Sequence, residues 1–288
     1  MKLKSFAKIN LGLEVLGKRP DGYHEIRTLF QSVDFHDELD FEETEPGILS
    51  LEGDDPSIPW DERNLIHRAA VLVRKQAGAD LGVRIRVRKR IPAGAGLGGG
   101  SSNAAVTLLA LNRLWRAGLG RSGLQALASS LGSDVAYFLE GGLCLGEGRG
   151  ERLSPLEDLP PLYGVIVLPP IVSLTAEVYR AFRPSLTSRL RAGKMNRFLQ
   201  SREFGSLENR LERTVFRLYP QLKDIKRFFQ SRGAALSLVT GSGSAVFGLF
   251  RTREEAERGW TEARERHPSV LVETLSRREY GKRLFAGV

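Results

Sequence analysis

Pro92-Ala-Gly-Ala-Gly-Leu-Gly-Gly-Gly-Ser-Ser-Asn-Ala-Ala105 places five glycines in the seven positions from Gly94 to Gly100. Two hydroxyls follow, Ser101 and Ser102, and the chain then runs into the helix-forming Ala104-Ala-Val-Thr-Leu-Leu-Ala-Leu111. Glycine lets a backbone turn tightly and come close to a ligand, because no Cβ intervenes. A helix that begins just after such a loop aims its unpaired N–H groups, and the positive end of its dipole, back into it. The stretch therefore reads as an anion site, with phosphate the expected anion.

Two familiar nucleotide loops are excluded on checkable grounds. Gly94-x-Gly96-x-x-Gly99 has the form of a dinucleotide fingerprint, but that unit needs an apolar parallel strand before it and an acid about 20 residues on. Here the preceding strand is alternately basic, Arg84-Ile-Arg-Val-Arg-Lys-Arg90, and no acid follows the loop until Asp134. A Walker loop needs a lysine directly after its glycines, and Ser101 stands there instead. Alternate residues of a strand share a face, so Arg84, Arg86, Arg88 and Arg90 predict a solvated side. Lys89 falls on the inner side, at the end that feeds the glycine loop.

Upstream, residues 2–7 and 11–16 read as two short strands separated by Ala7-Lys-Ile-Asn10. Lys8 and Asn10 point the same way, either as edge surface or as a deliberate polar pair. The turn at Pro20-Asp21-Gly22 presents Tyr23 and His24, which are either a ring-stacking pair or a packed tyrosine beside an exposed histidine. Strand material continues over 26–42, with turns near Asp34–Glu38, and 42–61 is mostly loop. Asn64 predicts an N-cap for a helix to about Ala77, ended by Gly78.

Downstream of the loop, helices are expected over 102–116 and 122–131. Asp134 then follows a Gly-Ser turn, either as a cap or as a working carboxylate. A link at 155–161 leads to a strand at 163–168 and a short helix at 175–182 carrying Tyr179. Helices at 188–201, 206–217 and 220–232 precede a strand at 235–239 and a second glycine turn, Thr240-Gly-Ser-Gly-Ser244. A strand at 245–250, a helix at 253–265 and a strand at 269–274 follow. Strand meander first and alternation later predict an α+β protein of two lobes, divided as 1–157 and 158–288.

The 288 residues carry 43 Lys and Arg against 34 Asp and Glu, a formal charge of +9. That excess suits polyanionic substrates or a nucleic acid, and its spread without a basic tail favours the former. No apolar run approaches the ~20 residues of a membrane span. Charges interrupt Met1–Asn10, which does not resemble a secretory signal, so the cytoplasm is the expected location. The single cysteine, Cys144, allows no internal disulfide, and His36, His67 and His267 have no metal-ligand spacing.

The glycine stretch, with its Gly-Leu-Gly-x-x-Ser-Ser-x-Ala-Ala core, resembles the second motif of the GHMP kinases, the group containing galactokinase and the homoserine and mevalonate kinases. Thr240-Gly-Ser-Gly-Ser-Ala-Val-Phe247 resembles their third. Ala7-Lys-Ile-Asn-Leu-Gly-Leu13, Arg19-Pro-Asp-Gly-Tyr-His-Glu25 and Gly132-Ser-Asp-Val-Ala-Tyr-Phe-Leu139 look like those members whose acceptor is a cytidine diphosphate sugar-alcohol. The likeness runs from residue 3 to about 250, in order and at compatible spacing.

The resemblance implies a two-lobed GHMP-kinase-like fold with its active site in the inter-lobe cleft. It implies transfer of the γ-phosphoryl of ATP, with Mg2+, to an alcohol. Asp134 matches the catalytic base and Lys8 its partner. Pro92, Ala93, Gly94, Ala95, Gly96, Leu97, Gly98, Gly99, Gly100, Ser101 and Ser102 match the ATP loop, with Asn64 and Lys89 near the adenine. Asn10, Tyr23, His24 and Tyr179 match the acceptor site. No acid lies between the loop and Asp134, so Ser101 or Ser102 would hold magnesium together with the phosphates and water. Two rival readings are a GHMP kinase for another alcohol and a non-catalytic basic protein that binds nucleic acid. The Tyr23–His24 pair weighs against the first, and the presence of both Lys8 and Asp134 against the second. No membrane partner is expected.

Overall fold

Strands β1 (Lys2–Lys18) and β2 (His24–Thr44) form a long antiparallel ribbon in a computed structural model that describes residues 1–183 and 193–286. The register slips between Phe6 and Ala7, between Asn10 and Gly12, and between Val15 and Gly17. Such bulges bend a ribbon and re-aim its side chains. The two short strands expected at 2–7 and 11–16 are thus one strand. From Ser5 to Val15 every residue is buried, because β1 passes between the lobes and both its faces are covered. Lys8 and Asn10 are interior polar groups, so their polarity does not end the strand. The turns expected near Asp34–Glu38 are likewise absorbed into β2: Phe6 pairs with His36 and Ala7 with Val33, which leaves two extra residues in β2.

Among the described residues, the first sheet runs β3 (Leu49–Gly53), β4 (Gly82–Arg88), β2, β5 (Leu143–Gly148), β6 (Arg152–Pro155), with β1 also on β2. Only β3 and β4 are parallel there. β3 lies inside the stretch expected to be loop. Helices α1 (Leu65–Ala77), α2 (Gly99–Leu114), α3 (Arg121–Leu131) and α4 (Tyr137–Glu140) share a core with the sheet, built on Phe6, Phe41, Val73, Ile85, Leu108 and Tyr137. Asn64 caps α1 by accepting the Ile66 N–H at 3.0 Å, and Gly78 ends the helix in the left-handed region at φ 67°. Arg86 and Arg88 of the basic face line a cavity of about 620 Å³ with Lys2, Lys4, Glu38 and Asp40.

The second sheet is antiparallel throughout, in the order β10 (Ser269–Glu273), β7 (Tyr163–Val167), β9 (Val246–Phe250), β8 (Leu236–Val239). Around it lie α5 (Thr175–Ala181), α6 (Lys194–Ser201), α7 (Glu212–Leu218), α8 (Gln221–Ser231) and α9 (Arg253–Arg264). The helix expected from 206 begins only at Glu212, because Asn209 is spent elsewhere: its Nδ2 donates to the carbonyls of Val239 and Gly241. Of the helix expected over 188–201, residues 188–192 lie outside the described residues.

Ile9, Leu11, Leu29, Phe35, Leu97, Phe198 and Phe247 form an apolar cluster between the two sheets. Each large side chain buried there contributes about 1.5–3 kcal/mol. A final helix that the pattern did not announce, α10 (Arg277–Leu284), is capped by Ser276. It brings Tyr280 back to the first lobe, where the hydroxyl donates to the Phe138 carbonyl at 2.6 Å.

Candidate active site

The glycine loop bridges β4 and α2, and α2 begins three residues before its expected start. Gly98 takes the N-cap position in the left-handed region at φ 72°, and Gly99 and Gly100 form the first turn. Gly94 and Gly96 are left-handed as well, at φ 71° and 80°. A Cβ on Gly98 would meet the Phe138 ring at 2.7 Å and Lys8 Cε at 3.3 Å. One on Gly96 would lie 2.2 Å from the Thr240 carbonyl oxygen, and one on Gly243 would lie 2.2 Å from the Gly96 nitrogen. The two glycine turns, 144 residues apart at Gly96 and Thr240, therefore meet backbone to backbone. Ala95 and Leu97 point into the inter-lobe cluster. Gly100 has open space where a side chain would be.

Lys8 and Asn10, between two bulges of β1, face this junction. Lys8 is 3% exposed. Its Nζ donates to Asn10 Oδ1 at 2.6 Å and to the Gly96 carbonyl at 2.9 Å, and it lies 3.4 Å from Asp134 Oδ2. Burial lowers the Lys8 pKa, and the charge and hydrogen bond of Asp134 oppose that shift. Asp134 stands in the turn before α4 and does not cap it: the cap position belongs to Ala136. Its side chain is 34% exposed, so one wall of the carboxylate faces protein and the other is open.

Asn10 is fully engaged. It donates to Thr28 Oγ1 at 2.7 Å, and its backbone N–H reaches Thr240 Oγ1 at 3.1 Å. Thr240 Oγ1 also donates toward the Gly96 carbonyl at 3.1 Å. Thr240 thus joins β1, the first glycine loop and the second. The sequence marks it only as the start of the second turn; that it touches all three segments follows from the fold.

Tyr23 and His24 close the far end of β1. Tyr23 is 56% exposed, and one ring face carries the Arg149 guanidinium 4.9 Å from its centroid. His24 is half-buried and lies against Tyr179, with ring centroids 5.0 Å apart at 31°. Phe182 approaches His24 edge-on at 6.2 Å. Burial, with the Lys18 charge, lowers the His24 pKa from 6.5. Burial raises that of Tyr179, and the nearby Asp134 charge adds to it. Tyr23, Arg149, His24, Tyr179 and Phe182 form one aromatic and polar wall, with Tyr179 near the Asp134 carboxylate. Arg149 and Phe182 were not foreseen, since neither sits in a motif or near Tyr23 or His24 in sequence.

Three expected contacts are drawn into the protein's own network. Lys89 Nζ bonds Asp37 Oδ2 and, at 3.1 Å, Asn103 Oδ1. Asn64 Nδ2 donates to the Pro59 carbonyl at 2.8 Å, while its Oδ1 caps α1. Ser102 is fully buried, and its Oγ accepts from Ser5 Oγ at 2.7 Å. Ser101 is half-buried at the first turn of α2. Among the described residues, no group of three His, Cys, Asp or Glu side chains is placed to hold a metal ion.

The glycine loop, the Lys8–Asp134 pair and the aromatic wall around His24 gather between the two lobes. The family model described as "GHMP kinases N terminal domain" matches residues 64–142, and the "GHMP kinases C terminal" model matches residues 190–269. The 4-diphosphocytidyl-2-C-methyl-D-erythritol kinase of Pelotomaculum thermopropionicum is 44% identical over 271 residues, 92% of this chain and 94% of the relative. That of Chlorobium phaeobacteroides is 41% identical over 95% of this chain and 97% of the relative. A crystal structure of 4-(cytidine 5'-diphospho)-2C-methyl-D-erythritol kinase superposes with a TM-score of 0.79 at 39% identity, covering 95% of this chain and 99% of the other. Homoserine kinase from Cytophaga hutchinsonii, 21% identical with a TM-score of 0.73 and covering 96% and 95%, shares the fold. The chain belongs to the 4-diphosphocytidyl-2-C-methyl-D-erythritol kinase family of GHMP kinases, and it is an enzyme. No described helix is long and apolar enough to cross a membrane.

Proposed function

We propose that the protein transfers the γ-phosphoryl group of ATP to the 2-hydroxyl of 4-diphosphocytidyl-2-C-methyl-D-erythritol, in the methylerythritol phosphate route to isoprenoid precursors. The observation that carries this reading is the Lys8–Asp134 pair, 3.4 Å apart beside the glycine loop, in a chain with close relatives of that name. An alcohol is a poor nucleophile until a placed base takes its proton. Asp134 accepts that proton as the acceptor oxygen bonds to the γ-phosphorus, and the bond from phosphorus to the β–γ bridging oxygen breaks to release ADP.

The Lys8 ammonium, held by Asn10 and the Gly96 carbonyl, favours the ionised form of Asp134 and stabilises charge on the attacking oxygen. General-base help is worth about 10²–10⁴-fold, and positioning with charge stabilisation supplies much of the rest in phosphoryl transfer. The N–H groups at the start of α2 cradle the donor phosphates. Tyr23 offers its free face to the cytosine, with His24 and Tyr179 completing the base site.

Magnesium keeps several waters and is held largely by substrate phosphates, so a sparse protein donor set fits it. Ser101 is the loop hydroxyl that would reach it, because Ser102 is spent on Ser5. Bound there, the ion would neutralise donor phosphate charge.

The test is ATP turnover with and without the cytidyl substrate, wild type beside Asp134→Asn. Absence of substrate-dependent ADP release by the wild type would reject the reading.

A further inference from the structure

The glycine loop is closed from behind by a single carboxylate. Asp37 is fully buried, just beyond the two extra residues of β2. Its Oδ1 accepts the backbone N–H groups of Arg90 at 2.7 Å and Ile91 at 2.9 Å, on the stem leading into the loop. Its Oδ2 accepts Asn103 Nδ2 at 3.0 Å, on the stem leading out, as well as Lys89 Nζ. Asn103 Nδ2 also donates to Ser5 Oγ at 2.8 Å. Both stems of the loop therefore end on one side chain.

Regular pairing does not reach this segment. β4 stops at Arg88 and α2 starts at Gly99, so the loop between them is held by scattered ties: near its tip the Lys8 N–H donates to the Leu97 carbonyl at 3.0 Å and the Ala245 N–H to the Ala95 carbonyl at 3.1 Å, and at its stems stands Asp37. Its glycines leave a freely turning backbone, and ordering such a backbone costs conformational entropy. Phosphate recognition by N–H groups depends on where those groups point. Charge-assisted hydrogen bonds to a buried carboxylate are the strong kind, and breaking one leaves an unpaired buried group.

We infer that Asp37 is a positioning residue for the phosphoryl donor, setting the geometry of the glycine loop by clamping its two stems together. It touches no substrate and acts through the loop. The inference rests on reading that loop as the donor-phosphate site. Asp37→Asn separates the two stems chemically. The remaining amide oxygen still accepts from Arg90 and Ile91, but the new amide N–H groups face Lys89 Nζ and Asn103 Nδ2, which are donors already. The trailing stem is released while the leading one stays tied.

The experiment is calorimetric titration with magnesium-ADP and, separately, with CDP as a probe of the acceptor side. Asp37→Asn is expected to raise the ADP Kd about 10- to 100-fold, the scale of a lost charge-assisted bond, and to leave the CDP Kd within about twofold. Asn103→Ala cuts the tie from the helix stem, with the Asn103 bonds to Lys89 Nζ and Ser5 Oγ, but leaves Asp37 on Arg90 and Ile91, and moves the ADP Kd the same way by less. The double variant should bind ADP no more weakly than Asp37→Asn, because both changes break one connection.

A folded Asp37→Asn with unchanged ADP affinity overturns the inference, and so does an equal loss for ADP and CDP. If Asp37→Asn does not fold, an unchanged ADP Kd in Asn103→Ala overturns it. Wild type that binds ADP but phosphorylates no cytidyl substrate rejects the acceptor reading alone, and the ADP titrations still decide the role of Asp37. Wild type that does not bind ADP overturns both.

Discussion

Lys8 Nζ lies 3.4 Å from Asp134 Oδ2 across the mouth of the glycine loop, with the lysine side chain 4% exposed and the carboxylate 34%. The asymmetry suits a buried ammonium that steers a carboxylate still open to an acceptor. Asp134→Asn should lower kcat by about 10²–10⁴-fold and change neither KM much, because the amide keeps the shape and loses the proton acceptor. Steady-state kinetics in both substrates checks this; a variant within a few-fold of wild type in kcat would contradict it.

The buried ammonium also sets a pH dependence. Burial takes the Lys8 pKa below 10.5, against the opposing pull of Asp134. Between the lowered value and 10.5 the unfolded chain keeps a proton that the folded chain has released, so stability rises with pH across that window. Below it the cost of burying the charge is present in full. Lys8→Met removes the titration, so the stability difference between wild type and variant should change with pH only in the alkaline range. Urea unfolding at a series of pH values measures it, and a difference that is flat there would be evidence against the shift.

At the acceptor wall, Tyr23→Ala should raise the KM for the cytidyl substrate by about tenfold, the loss of one base–aromatic stack, and leave the KM for ATP nearly unchanged. Burial and the Lys18 charge lower the His24 pKa from 6.5, so the ring keeps its neutral form to a lower pH than a free imidazole. Acceptor binding that depends on the neutral ring should weaken only as the pH falls through that lowered pKa. Equal effects of Tyr23→Ala on both substrates would remove the cytosine assignment.

Two alanines in the loop should behave in opposite ways. Gly96→Ala puts a Cβ 2.2 Å from the Thr240 oxygen at φ 80°, and strain of this kind costs of order 1–3 kcal/mol before the clash is counted. Its Tm should fall clearly. Gly100→Ala meets nothing within 4 Å, so it should fold normally and lose affinity for ATP, because the new methyl enters the space left for phosphate. Thermal melts beside nucleotide titrations separate the two.

The serines divide similarly. Ser102→Ala strips Ser5 of its acceptor and should cost about 1 kcal/mol of stability. Ser101→Ala should leave stability alone and raise the magnesium concentration needed for half-maximal rate. A magnesium dependence that follows Ser102 instead would reverse the assignment.

Much of this was legible in the residues. The glycine spacing and the apolar run behind it locate a left-handed turn that opens a helix, and Asn64 and Gly78 bound α1 where the pattern puts them. Alternating arginines mark β4; the Gly-Ser turn leaves Asp134 open as a cap or a free carboxylate, and the structure gives the cap position to Ala136. Where the structure departs from the local pattern, tertiary contacts decide. β1 is one strand, 206–211 is not helical and α10 closes the chain, and each of those segments packs against the other lobe, where both strand faces are covered or a polar side chain serves a distant turn. β3, in a stretch whose composition reads as loop, forms by pairing with β4 inside the first sheet.

The chain alone determines local conformation and chemical type: which backbone can turn left-handed, which helix end carries unpaired N–H groups, which groups can accept a proton. Those follow from Cβ sterics, peptide dipoles and side-chain pKa, which act over a few residues. The tertiary structure decided which groups meet. It set Lys8 against Asp134, pressed Gly96 onto Thr240, gave Lys89 to Asp37 and buried Ser102 away from the loop. Those pairings join residues far apart in sequence: folding of the first lobe brings Lys8 to Asp134, Lys89 to Asp37 and Ser5 to Ser102, and packing the second lobe on it brings Thr240 to Gly96.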